Sequence, residues 1–414
     1  MIPGMSGPEI RPVTTEELPG YCRTIEAAFG HHLDEVDLAW QVPMVEADRT
    51  LAVYEGGRMV GTAGAYSMEI TVPGLRSVSM AGVTAVSVQP THRRRGLLRA
   101  LMRHQLDDLQ AAGEAIAGLT ASQSLIYGRF GYGLAVALEV REIAPRHSAF
   151  ARPVPEGGRF TMLDANEAAK VIPDLQERIR RLQVGDATPM ATYWDAYFQD
   201  PKSWHEDTSA RFYVLHESDA GEPDGYASYR TKAVDSEDGN DLHVDRLRAL
   251  DADTEAQLWR FVLDIDLVGK VVTDWRAPDD ALAWRLLDPR RLRRAESSDA
   301  LWIRLVALPD ALESRRYRAD GTVVLDVVDE FCPWNQGRWV LEIDGGRASC
   351  RRADGGRAAD LVLSAAELGA SYLGGVSFTT LARAGRVDEE RAGVLAAADA
   401  MFGTDRLPWC SMDF

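Results

Sequence analysis

Val86-Ser87-Val88-Gln89-Pro90-Thr91-His92-Arg93-Arg94-Arg95-Gly96-Leu97-Leu98-Arg99 is the stretch whose reading decides the fold. Before Pro90, apolar residues alternate as in a strand: Val78, Met80, Val83, Val86 and Val88. After it they recur at helical spacing, at Leu97, Leu98, Leu101, Met102, Leu106 and Leu109, with Gly113 as the stop. A strand therefore runs through a glycine-containing turn into an amphipathic helix. The first turn of such a helix leaves backbone N–H groups without partners, and they make a site for an anion. Gly96 lets the backbone approach that anion closely, and Arg93, Arg94 and Arg95 add charge and paired donors suited to a pyrophosphate. P-loop and dinucleotide sites are excluded, because neither glycine fingerprint follows a strand.

The chain has 414 residues, with 46 Lys+Arg against 63 Asp+Glu, a net charge of −17. That length predicts about two to three domains. The acidity argues against nucleic-acid binding, which needs a basic surface, and suits cationic ligands. Cys22, Cys332, Cys350 and Cys410 are far apart and form no CxxC, which fits reduced thiols of the cytoplasm. The histidines build no metal signature, so no metal is expected. No leader peptide is read at the N-terminus, and no apolar run is long enough to span a membrane.

Residues 1–145 alternate helix and strand signals, including strands at 50–54, 115–119 and 134–140. The Pro- and Arg-rich stretch 145–158 reads as a linker. Residues 146–300 repeat the order strand, strand, strand, helix, with the helix over 254–268, and predict an internal duplication. The supposed equivalent of the Arg93–Gly96 turn is Asp251-Ala252-Asp253-Thr254-Glu255, acidic and without glycine, so this copy would repel a pyrophosphate. Residues 301–414 open with a strand at 301–306 and continue as an α+β unit with a closing helix over 389–402. The expected fold is multidomain, α/β and α+β.

The turn resembles the acyl-CoA loop of the GNAT acetyltransferases, with Arg93 and Gly96 matching and Leu98 standing where that family has Gly or Ala. A second stretch, Ile126-Tyr127-Gly128-Arg129-Phe130-Gly131-Tyr132-Gly133, together with the Pro90–Arg99 run, is similar to the enhanced intracellular survival (Eis) family of N-acetyltransferases. Leu301-Trp302-Ile303-Arg304 followed by Leu308-Pro309-Asp310-Ala311-Leu312-Glu313 resembles the entry to that family's third domain. The resemblance covers nearly the whole chain. It implies tandem GNAT folds, one active (1–145) and one degenerate (146–300), then a sterol-carrier-protein-like domain (301–414), assembled as a homohexamer.

By that resemblance acetyl-CoA is the cosubstrate. Val86, Ser87 and Val88 would lie along its pantetheine arm, the N–H groups of Arg94, Arg95, Gly96, Leu97, Leu98 and Arg99 on its pyrophosphate, and Ser122 and Gln123 beside it. Tyr127 would be the general acid and the terminal carboxylate of Phe414 the general base. Trp40 is expected to wall an amine pocket, and Asp413 to hold a substrate cation. The acceptor would be a primary amine of an aminoglycoside-like polycation or a lysine side chain. With ordinary values, a tyrosine donating to a departing thiolate is uphill by roughly 2 kcal/mol. A terminal carboxylate facing an alkylammonium is short by about 9.5 kcal/mol, so either desolvation raises it, a water chain relays the proton, or, the favoured reading, it takes its proton from the adduct formed after attack. The rival expectation is a noncatalytic CoA- or lipid-binding regulator on the same scaffold.

Overall fold

The computed structural model describes residues 8–205 and 207–414. Residues 1–7, where the absence of a leader is read, lie outside the described residues. The chain forms two compact units, one from residues up to 136 with 187–192 and 299–414, the other from 137–186 and 193–298.

In the first unit, β1 (Glu9–Arg11), β2 (Thr50–Glu55), β3 (Arg58–Val72), β4 (Arg76–Val88), β5 (Ile116–Thr120) and β6 (Gly133–Leu134) belong to one sheet. Helices α1 (Leu18–Phe29) and α2 (Glu35–Met44) precede β2, α3 (Leu97–Ala111) links β4 to β5, and the single turn α4 (Ser124–Tyr127) follows β5. The helical spacing read from the sequence is what α3 buries: Leu97, Leu101, Met102, Leu106 and Leu109 are all inside, and Gly113 follows the helix at φ 76°. Each such side chain contributes roughly 1.5–3 kcal/mol by leaving water. Tyr21 of α1 is buried and donates its hydroxyl to the carbonyl of Ala63 at 2.9 Å.

The second unit holds β7 (Ala137–Ile143), β8 (Arg159–Leu163), β9 (Phe212–Glu217), β10 (Pro223–Lys232), β11 (Asn240–Ala249), β12 (Val268–Arg276) and β13 (Arg293–Asp299). The order β9, β10, β11, helix Ala252–Leu263, β12 repeats β2, β3, β4, α3, β5, as the expected duplication requires. That helix ends five residues before the predicted 268, which instead opens β12.

β14 (Leu301–Leu305) then returns to the first sheet, whose order is β1-β2-β3-β4-β5-β14-β6. The third sheet, also in the first unit, is β17-β16-β15-β18-β19, built from β15 (Gly321–Val328), β16 (Gly337–Asp344), β17 (Arg347–Arg352), β18 (Leu361–Ser364) and β19 (Val387–Glu389). Helix Ala365–Ser371 is buried along its whole length and packs on β14 and β6.

Four local expectations are corrected. The single strand read at 134–140 is two strands in two sheets. The chain breaks at Ala135 and Val136, whose N–H groups both donate to the carbonyl of Leu301 at 3.0 Å. The unbroken apolar run Leu134-Ala135-Val136-Ala137-Leu138 hides that break, because no glycine or proline marks it. Residues 145–158 lie inside the second unit, and the chain changes units at 136/137 and 298/299 rather than there. The strand at 301–305 pairs with β5 and β6, not with the third sheet. The predicted closing helix is shorter, Val394–Phe402, with β19 before it.

Candidate active site

β4 and β5 run parallel but pair only at Ala81–Ala117 and Gly82–Gly118. Beyond that point they part, and the opening is the site. A bulge shapes the β4 side. Thr62 faces Ser87 while Gly64 faces Thr84, so β4 carries one residue more than β3 across this interval. Ala85 sits at φ 55°, and neither it nor Val86 has a partner in the ladder. A bulge of this kind takes backbone polar groups out of the sheet and re-aims them. The Thr62 hydroxyl holds it, bonding the Ala85 carbonyl and the Ser87 hydroxyl at 2.7 Å each.

The turn that follows is shaped for an anion. Arg94 and Gly96 both take positive φ, 62° and 82°. Gly96 caps α3 without a side-chain bond, and the first bond inside the helix is Ala100 N–H to Gly96 O at 3.0 Å. The N–H groups of Leu97, Leu98 and Arg99 therefore have no partner within the helix. A cleft of about 410 Å³ lies against them. The volume is that of an ordinary ligand pocket. Its walls include Ala28 and Phe29 at the end of α1, the β4 edge at Val86, Ser87 and Val88, and Leu98, Ile126 and Phe130.

Tyr127 also lines this cleft, although it is only 6% exposed. Its ring meets that of Tyr132 edge-on, with centroids 6.1 Å apart. Burial pushes its phenol up to about 12, so it holds its proton throughout the neutral range. At the end of β5, the Thr120 hydroxyl donates to a carboxylate oxygen of Phe414 at 2.6 Å. The Phe414 ring lies over Gly82, where an added Cβ would fall 3.2 Å from Cε2 and closer still to Met68 Sδ. The approach to Trp409, Cys410 and Met412 is buried, so the chain end is anchored rather than loose.

Of the residues singled out from the sequence, Val86, Ser87, Val88, Arg94, Gly96, Leu97, Leu98, Arg99, Ser122, Gln123 and Tyr127 line the cleft together. Arg95 does not. Its guanidinium forms a double hydrogen bond to Glu55 at 2.6 and 2.9 Å and holds that carboxyl below its usual range. Arg93 lines the cleft, but it donates to the Val88 and Ala28 carbonyls at 3.2 and 2.8 Å. It staples β4 to the end of α1. The three arginines read as one phosphate cluster thus have three different jobs. Trp40, half-buried on α2, Asp413, exposed, and Phe414, held at Thr120 instead, are not among the cleft walls. Phe29, a cleft wall, and Thr120 and Gly82, which contact Phe414 outside the cleft walls, are residues that the sequence reading leaves without a role. The one available signal is that Thr120 is the polar end of an otherwise apolar strand.

The matching helix of the second unit starts differently. Asp251 caps it with its own carboxylate, accepting from the N–H groups of Asp253 and Thr254 at 2.9 and 2.8 Å. A fixed anion already occupies the place where a phosphate would sit. Arg276, Asp280 and Glu255 add a buried ion cluster beside that helix start. Among the described residues, no group of three or more His, Cys, Asp or Glu side chains is arranged to hold a metal ion, and no helix is long and apolar enough to cross a membrane.

A splayed β4/β5 pair, a bulged β4 and an uncapped helix start define a GNAT acyltransferase, here joined to a second GNAT fold and a sterol-carrier-like domain. Family models agree: acetyltransferase (GNAT) domain over residues 9–135 and again over 190–305, and sterol carrier protein domain over 308–411. The chain belongs to the Eis family of N-acetyltransferases. It is 33% identical to the N-acetyltransferase Eis of Mycobacterium tuberculosis, over 95% of this chain and 96% of that one. It is 41% identical to an uncharacterized N-acetyltransferase of Streptomyces coelicolor, over 98% of this chain and 99% of the relative. The crystal structure of Eis1 from Mycobacterium abscessus superposes with a TM-score of 0.87 at 31% identity, covering 99% of this chain and all of that one. The protein is therefore an acetyltransferase, and its GNAT fold implies acetyl-CoA as cosubstrate. The noncatalytic alternative is set aside.

Proposed function

We propose that this enzyme acetylates primary amines of aminoglycoside-like polycations or lysine side chains by direct attack on the thioester, with no acyl-enzyme. The observation that carries this reading is the Phe414 carboxylate bonded to Thr120 where β4 and β5 part, in the same unit as Tyr127. Backbone N–H groups from Arg94 to Arg99 receive the pyrophosphate, with Arg95 contributing its main chain only. The bulged edge at Val86, Ser87 and Val88 takes the pantetheine arm and polarises the carbonyl. Ser122 and Gln123 lie along the same arm.

Tyr127 protonates the departing thiolate. At about 12 against a thiol of 8.5, that transfer is uphill by roughly 5 kcal/mol. The same burial raises the thiol as it leaves the cleft, which narrows the gap. The Phe414 carboxylate takes the proton from the nitrogen once it has attacked, when that proton is far more acidic than in the free ammonium. Asp413, next to it in the chain, steers the acceptor cation. A net charge of −17 concentrates polyamines near the surface. By family likeness the working assembly is a cytoplasmic homohexamer, which light scattering during size exclusion tests.

The decisive assay follows thiol release from acetyl-CoA with kanamycin, with a lysine-containing peptide, and without acceptor. Amine-dependent release is expected. No release with either amine would overturn the proposal.

A further inference from the structure

Thr120 closes β5 and is held in register opposite Leu301 of β14. Its Oγ1 donates to a terminal carboxylate oxygen of Phe414 at 2.6 Å, and the Phe414 N–H faces the same oxygen atom of Thr120 at 3.4 Å. The Phe414 ring rests over Gly82. The last residue is thus fixed at its ring by β4 and at its carboxylate by β5, just where the two strands part. An unrestrained chain end frays, and its carboxylate turns about the Cα–C bond. One hydroxyl donor fixes that rotation and leaves the lone pairs of the second oxygen for a proton.

We propose that Thr120 is the positioning residue of the reaction: its hydroxyl takes one oxygen of the terminal carboxylate and so presents the other to the acceptor nitrogen. The proposal rests on the reading of Phe414 as the base. The nitrogen first bonds to the thioester carbonyl carbon, the adduct then loses its N–H proton to the second carboxylate oxygen, and the C–S bond breaks as Tyr127 protonates the departing thiolate; Thr120 keeps its own proton throughout. Thr120 acts through Phe414 and is not itself a catalytic residue.

The test uses the full chain with kanamycin and acetyl-CoA, comparing Thr120→Val, Thr120→Ala and Thr120→Ser, each with and without Phe414. Valine keeps the branched shape that suits a strand end, and alanine is a second hydroxyl-free variant should valine misfold. Both should lower kcat roughly 10- to 100-fold, the effect of one hydrogen bond to a charged group, while KM for acetyl-CoA stays within about twofold. Serine should restore kcat to within about threefold, because it returns the hydroxyl. In the chain lacking Phe414, Thr120→Val should lower kcat no further. Normal kcat in the valine and alanine variants, failure of serine to restore it, or an undiminished valine effect without Phe414 would each overturn the positioning role. If removing Phe414 leaves kcat intact, the base reading itself fails. Loss on removing Phe414 with no response to Thr120→Val overturns the positioning role alone.

Discussion

Tyr127 and the arginines of the turn show how much a single residue's role depends on its surroundings. Tyr127 is buried, with its phenol pushed up to about 12 by loss of water. Its deprotonation therefore lies above the working range, and kcat should show no basic limb from Tyr127 below about pH 10. Tyr127→Phe should lower kcat by about 100- to 10,000-fold, the range of general acid catalysis, with acetyl-CoA affinity kept. A normal kcat in that variant, or a basic limb near 9 that it abolishes, would contradict the assignment. The sequence made Tyr127 legible because its motif is local. It did not separate Arg93, Arg94 and Arg95, because what divides them lies far away in the chain. Glu55 claims Arg95 from 40 positions away, and the Ala28 carbonyl claims Arg93 from 65. Thr120 went without a role for the same reason, since its partner is 294 positions further on.

At the scale of elements, α3 and its cap were legible because one period change marks them. Gly96 is the residue on which the element's chemistry depends. At φ 82° it adopts a conformation that costs a side-chain-bearing residue about 1–2 kcal/mol, more for a branched one. Gly96→Val should raise the Kd for CoA about tenfold or more while the melting temperature falls by only a few degrees. Unchanged affinity by calorimetry would show that the turn does not receive the pyrophosphate. The counterpart helix carries a built-in control, because Asp251 already supplies the anion there. Strand boundaries were less legible than the helix. An apolar run such as 134–138 satisfies a strand in either sheet, and only the pairing to Leu301 decides where it divides.

At the scale of the whole molecule, three parts were legible but their borders were not, since the chain crosses between sheets. β14 lies between β5 and β6, so the first GNAT sheet is complete only after the second has been built. A chain truncated after residue 298 should therefore lose cooperative unfolding of its first sheet and bind no CoA, even though it keeps the whole 86–99 turn. Cooperative melting with CoA binding in that truncation would contradict the pairing order. The third sheet belongs to the same unit as the cleft, and from it the chain runs to Phe414 at Thr120. On the proposed mechanism, the sterol-carrier-like domain carries the terminal carboxylate to the acetyltransferase site.

The most direct measurement of that claim is turnover with kanamycin after Phe414 is removed, set beside acetyl-CoA affinity from calorimetry on the same protein. Turnover should fall by about 100- to 10,000-fold, the range of general base catalysis, while the Kd stays within about twofold of the full chain, because the proposed anion site and the proposed base stand on different elements. Undiminished turnover without Phe414 would contradict it.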